Sequence, residues 1–279
     1  MAVARRNEAE IYYEVRGSGP PLLLVEGLGY GLWMWRAQAP ALEKSFRLIL
    51  FDNRGVGRST PLPGPYNAAE FARDALAVLD AEGIDRSAVL GASMGGAIAQ
   101  ALAALAPERV SALVLSCTLP GGPGSKPMPP ETFAEVTRPV PGESEPDRLR
   151  RTMGVAMTPG FPRERPEVVD AIVADRLQSP TDPTQWMYQA MSLRDFDATA
   201  SDARLSCPVL LTTGTADRVV PWTNSLLLYK LIPKTSLVLF RGQNHLHLLE
   251  RAAEFNDAVT RFLATPSTGI PPGQVEEVG

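Results

Sequence analysis

Along the chain, short, largely apolar runs at residues 21–25, 47–51, 87–90, 112–115, 208–211 and 236–240 are separated by stretches with helical spacing of apolar residues. A strand that is apolar at consecutive rather than alternate positions is covered on both faces, as in a parallel sheet sandwiched between helices. The pattern predicts an α/β fold with a mostly parallel central sheet flanked by helices. Residues 2–5 and 9–15 are expected to pair ahead of it as a hairpin. The best specified helix spans 68–81, where Ala68, Phe71, Ala72, Ala75, Leu76 and Leu79 form one apolar stripe. Asn67 is placed to cap it, and Glu70 three residues later completes a capping box. A similar amphipathic pattern covers 251–263. No internal repeat is found.

Between residues 119 and 206 this rhythm stops. The stretch opens rich in proline and glycine and contains five of the eight methionines, with Trp186 and Phe161. It reads as a helical cap inserted into a core formed by 1–118 and 207–264. Met128, Met153, Met157, Trp186 and Met187 are its candidate substrate contacts, since flexible thioethers and aromatic rings suit an apolar ligand. Residues 265–279, with three prolines, three glycines and adjacent glutamates, are expected to be disordered.

Composition narrows the partners. The 279 residues are 44% hydrophobic and 21% charged, enough apolar material for a sizeable core. With 27 basic against 31 acidic residues, the chain lacks the positive footprint that phosphate backbones require, so neither nucleic acid nor a membrane is an expected partner. The longest apolar run, 101–106, is far short of the roughly 20 residues that cross a bilayer. The N-terminal MAVARRNEAE has charges where a signal peptide has its apolar stretch, so a cytoplasmic location is expected. Two cysteines, Cys117 and Cys207, and two histidines, His245 and His247, cannot assemble a zinc cluster, and no metal is expected. The cysteines should lie at opposite ends of the sheet, roughly 10 Å or more apart at about 3.3 Å per residue, as separate buried thiols.

Gly91-Ala92-Ser93-Met94-Gly95 joins a buried strand to a helix-forming run and matches G-x-S-x-G in the context that pattern needs. The turn is tight enough to strain the serine backbone and lift its hydroxyl clear, while the Met94 N–H at the helix start can stabilise an oxyanion. A serine hydroxyl needs a base, and the base needs an acid to hold its tautomer. Asp217 and His245 each lie just beyond a later strand, at the edge where ligands meet an open parallel sheet.

These residues, with the loop Asp52-Asn53-Arg54-Gly55-Val56-Gly57-Arg58-Ser59 and His245 followed by Glu250, resemble the α/β-hydrolase-fold enzymes. That group includes carboxylesterases, enol-lactonases and carbon–carbon bond hydrolases, and the resemblance covers about residues 9–264. It implies Ser93 as nucleophile, His245 as base, Asp217 as its orienting acid and the amide of Leu28 as the second oxyanion donor. His247 falls where the family often has proline; His247 as base, or the two histidines as a metal pair, is the rival reading. One departure stands out. Where the group usually carries His-Gly, this chain has Glu26-Gly27, and Glu26 is expected to turn away from the oxyanion, towards Arg54.

The expected activity is cofactor-free hydrolysis of small to medium carboxylic esters through an acyl-enzyme. Enol-lactone and carbon–carbon bond cleavage are alternatives on the same triad. Serine in place of a nucleophilic aspartate argues against haloalkane dehalogenase and epoxide hydrolase chemistry. A catalytically silent ligand-binding protein is an alternative from another class. Dinucleotide binding is a further one: Gly27-Leu28-Gly29-Tyr30-Gly31 follows a buried strand and Asp52 ends the next. Against it, Leu32 replaces the third glycine, Glu26 precedes the loop, and Ser93, Asp217 and His245 go unexplained. Oligomeric state is not legible.

Overall fold

The computed structural model describes residues 2–264 and 273–279. Its strands are β1 Ala2–Arg6, β2 Ala9–Arg16, β3 Pro21–Val25, β4 Arg47–Phe51, β5 Ser87–Ala92, β6 Val110–Ser116, β7 Val209–Gly214, β8 Thr235–Phe240 and β9 Val275–Val278. They form one sheet in the order β1-β2-β4-β3-β5-β6-β7-β8-β9. The expected N-terminal hairpin is present; β1–β2 and β2–β4 are antiparallel and the other pairs parallel.

The apolar runs have the reason anticipated for them. Leu22, Leu24, Leu48, Leu50, Val114, Leu210 and Val238 face one layer, packed with Trp35, Leu42, Phe255 and Phe262. Leu23, Val25, Ile49, Val89, Leu113, Leu211 and Leu237 face the other, packed with Phe71, Leu79, Ile98 and Leu228. Successive strand residues point to opposite faces, so a strand buried on both must be apolar throughout. The helix Ala68–Ala81 starts where expected, with Asn67 Oδ1 accepting from Glu70 N at 2.9 Å. Only half the capping box forms, because the Glu70 carboxylate is taken by Arg6 at 2.7 Å and Arg73 at 2.6 Å.

Between β6 and β7 the chain is helical, with Pro130–Thr137, Glu145–Ala156, Pro166–Gln178 and Pro183–Met191 as its longer elements. Each carries proline in its first turn, where the missing N–H would have no partner anyway. Met153, Met157, Val169 and Ile172 from this segment join the first apolar layer.

The expected disordered tail requires a correction. Residues 265–272 lie outside the described residues, but Val275–Val278 pairs in parallel with β8. The segment V-E-E-V needs no buried face at a sheet edge: backbone bonds from Leu237 N to Gln274 O and from Arg241 N to Val278 O hold it, and Arg261 and Arg241 pair with its two glutamates. Cys117 and Cys207 are free and buried, beyond opposite ends of the sheet as anticipated. No helix among the described residues is long and apolar enough to cross a membrane.

Candidate active site

Six strands deliver their following residues to one edge: Glu26 after β3, Asp52 after β4, Ser93 after β5, Cys117 after β6, and the Asp217 and His245 loops after β7 and β8. Ser93 sits at φ 56°, ψ −119°, a conformation rare for a residue with a side chain. Its neighbours permit this. A Cβ at Gly91 would collide with the Gly95 carbonyl, and one at Gly95 with the Val25 carbonyl. Ser93 N donates to Ser116 O at 2.9 Å, and Thr118 Oγ1 donates to Ser93 O at 2.8 Å, pinning the turn to the end of β6.

Asp217 and His245 are joined. The carboxylate Oδ1 accepts from the amides of Val219 and Val220, both at 2.8 Å, which leaves Oδ2 to accept from His245 Nδ1 at 2.8 Å. Nδ1 therefore carries a proton and Nε2 is the basic nitrogen. Burial acts to lower the imidazole pKa, but the Asp217 carboxylate and the Cys117 thiol beside the ring outweigh it and hold the pKa well above 6.5. Among the described residues the Ser93 hydroxyl forms no hydrogen bond, to His245 or to any other group. Serine–histidine links often close only with substrate bound. The amides of Leu28 and Met94 are likewise free of partners among the described residues.

His247 is kept from the rival role. It is fully buried, its Nε2 lies 3.3 Å from Ser116 Oγ and 3.2 Å from Thr212 Oγ1, and its ring packs on Phe240 and Phe255. Burial drives its pKa down to about 4, so it stays neutral.

Glu26 turns away from the oxyanion side, though not towards Arg54. Its Oε1 accepts from Asn53 N at 2.6 Å, whereas Arg54 donates to Asp74 from Nε at 2.5 Å and Nη2 at 2.7 Å. Complete burial, with Asp52 close by, pushes the Glu26 pKa well above the ordinary carboxyl value. Asp52 is occupied by its own loops, accepting from Leu32 N at 2.8 Å and Arg58 N at 3.0 Å, and is not free to bind a ribose.

The cap candidates divide. Met153 and Met157 are buried in the apolar layer, and Met128 is half-buried. Trp186 lies over the Gly27–Gly29 loop, where a Cβ at Gly29 would stand 2.7 Å from its ring. Met187 is 53% exposed, because the helix turns Gln185 and Gln189, one turn apart, inward and carries Met187 round to solvent.

Several residues of the site carried no motif. Asn244 Oδ1 accepts from His245 N at 2.8 Å and Arg218 N at 2.9 Å, while its Nδ2 donates to the carbonyls of Val155 and Met157. It thereby ties the histidine loop to the aspartate loop and the cap. Gln189 Oε1 accepts from Gly29 N at 2.9 Å, and Nε2 donates to Arg54 O at 3.2 Å. For Gln189 a polar side chain between Tyr188 and Ala190 was the one available signal, whereas Asn244, between Gln243 and His245, offered none.

A family model described as the alpha/beta hydrolase fold matches residues 20–252. RutD of Azorhizobium caulinodans, proposed to be a carbamate hydrolase, is 44% identical over 115 residues, 41% of this chain; the match spans 43% of that relative, less than half its length. The 2-hydroxymuconate semialdehyde hydrolase of Pseudomonas sp. strain CF600 is 33% identical over 261 residues, covering 89% of this chain and 88% of its own. The solved enol-lactonase of Burkholderia xenovorans LB400 superposes with a TM-score of 0.81 at 25% identity, over 95% of this chain and 100% of that one.

Proposed function

The chain belongs to the α/β-hydrolase-fold family, and from that premise we propose that it is a serine hydrolase cleaving small to medium carboxylic esters through an acyl-enzyme. The observation that carries this reading is the buried 2.8 Å Asp217–His245 pair set at the same sheet edge as the strained Ser93. Ser93 Oγ attacks the ester carbonyl as His245 Nε2 takes its proton. The Leu28 and Met94 amides receive the oxyanion, a contribution typically of about 10²–10³ in rate per donor. His245 then protonates the leaving alkoxide and activates the water that releases the acid. Asp217 stabilises the imidazolium at both steps.

Lactone, carbamate and carbon–carbon substrates could use the same machinery, and the relatives' names span these types. The test is a fluorophosphonate probe with a substrate panel of p-nitrophenyl esters, enol-lactones and carbamates. The native protein should gain one probe mass and Ser93→Ala none, with ester turnover lost in the variant. Equal labelling of both, or turnover confined to lactones or carbamates, would overturn the nucleophile or the ester assignment respectively.

A further inference from the structure

Gly29 follows the residue read above as an oxyanion donor, and the cap grips it on both sides. Its N–H donates to Gln189 Oε1 at 2.9 Å, and its carbonyl accepts from Thr181 Oγ1 at 3.3 Å. Gly29 stands at φ +70° and has no side chain to limit its conformation, so its orientation has to be imposed by partners. Gln189 is fully buried and both ends of its amide are used, Nε2 donating to Arg54 O in the neighbouring loop. Fixing the Gly29 N–H fixes the plane of the Leu28–Gly29 peptide. That constrains the backbone torsion at Leu28, and with it the direction of the Leu28 amide one peptide earlier.

We propose that Gln189 is a positioning residue for hydrolysis: from the cap helix Pro183–Met191 it holds the Leu28 N–H in line for the oxyanion, so cap seating and transition-state stabilisation are one mechanical event. The inference rests on the serine-hydrolase reading. Within that reading the bond to Gly29 matters most in the transition state, when charge develops on the substrate oxygen, and little for binding the uncharged ester.

The test compares wild type with Gln189→Met, which keeps the shape and loses both bonds, and Gln189→Glu, which keeps an acceptor for Gly29 N–H. Gln189→Asn, one methylene too short for both partners, stands in if the methionine variant does not fold. Gln189→Met should lower kcat on p-nitrophenyl butyrate by about 10- to 100-fold, less than outright loss of a donor, with KM within threefold. It should weaken a trifluoromethyl ketone, whose hemiketal oxygen occupies the oxyanion position, by a similar factor. Gln189→Glu should retain more kcat than Gln189→Met yet melt at a lower temperature, because it buries an ionisable group. Activity and stability would then rank in opposite orders, which a merely structural role would not produce. An unchanged kcat, a loss carried by KM, or activity that follows melting temperature across the variants overturns the proposal. Failure of the underlying reading shows separately, as a wild-type protein that neither labels at Ser93 nor turns over esters.

Discussion

At the scale of single residues, the proposed reaction turns on the protonation state of His245. Only the neutral ring can accept the Ser93 proton, and Asp217 and Cys117 together hold its pKa well above 6.5. The acid limb of kcat/KM should therefore have its midpoint above 6.5 and rise about tenfold per pH unit below it. Asp217→Asn removes the charge that favours imidazolium, so its limb should move to lower pH even as the rate falls by about 10⁴. A wild-type profile flat from pH 6 to 8 would contradict this assignment. Ser93, Asp217 and His245 were legible because each follows a strand that the apolar pattern had already located. Asn244, Gln189 and Asp74 were not, since a buried polar residue is recognised by partners far away in the chain: 160 residues separate Gln189 from Gly29.

At the scale of elements, the loop after β4 is held by the helix Ala68–Ala81. Asp74 is fully buried in that helix and accepts from Arg54 at 2.5 and 2.7 Å and from Arg6 at 2.7 Å. Arg54 is itself nearly buried, so removing its partner strands a charge away from water. Asp74→Ala should cost about 3–5 kcal/mol in urea unfolding, whereas loss below 1 kcal/mol, the range of an exposed pair, would show that the pair is not a structural brace. Strands buried on both faces were readable because their apolar runs have no competing explanation. The edge strand β9 was not, because an edge needs only backbone partners, and V-E-E-V has the composition of a solvated tail.

At the scale of the whole molecule, Asp202 is a buried acid that works against the fold. Asp202 is fully buried, neither carboxylate oxygen has a partner among the described residues, and burial, with Asp197 adding to it, pushes its pKa to about 7. The folded state therefore holds a proton that the unfolded chain releases near 3.8, and stability falls as pH rises between those values. Asp202→Asn should raise the melting temperature by several degrees at pH 8 and by little at pH 4; an equal shift at both would mean that titration is not the cause. The cap latch at Gly29 has a consequence for kinetics in solution. That amide is shielded from solvent by a side chain of the cap and not by a helix or sheet ladder, so hydrogen exchange there records how often the helix Pro183–Met191 lifts from the loop. If substrates enter by that lifting, the opening rate of this one amide, read under conditions where exchange outpaces reclosing, sets a ceiling on turnover, and comparing the two separates entry from chemistry without any substitution.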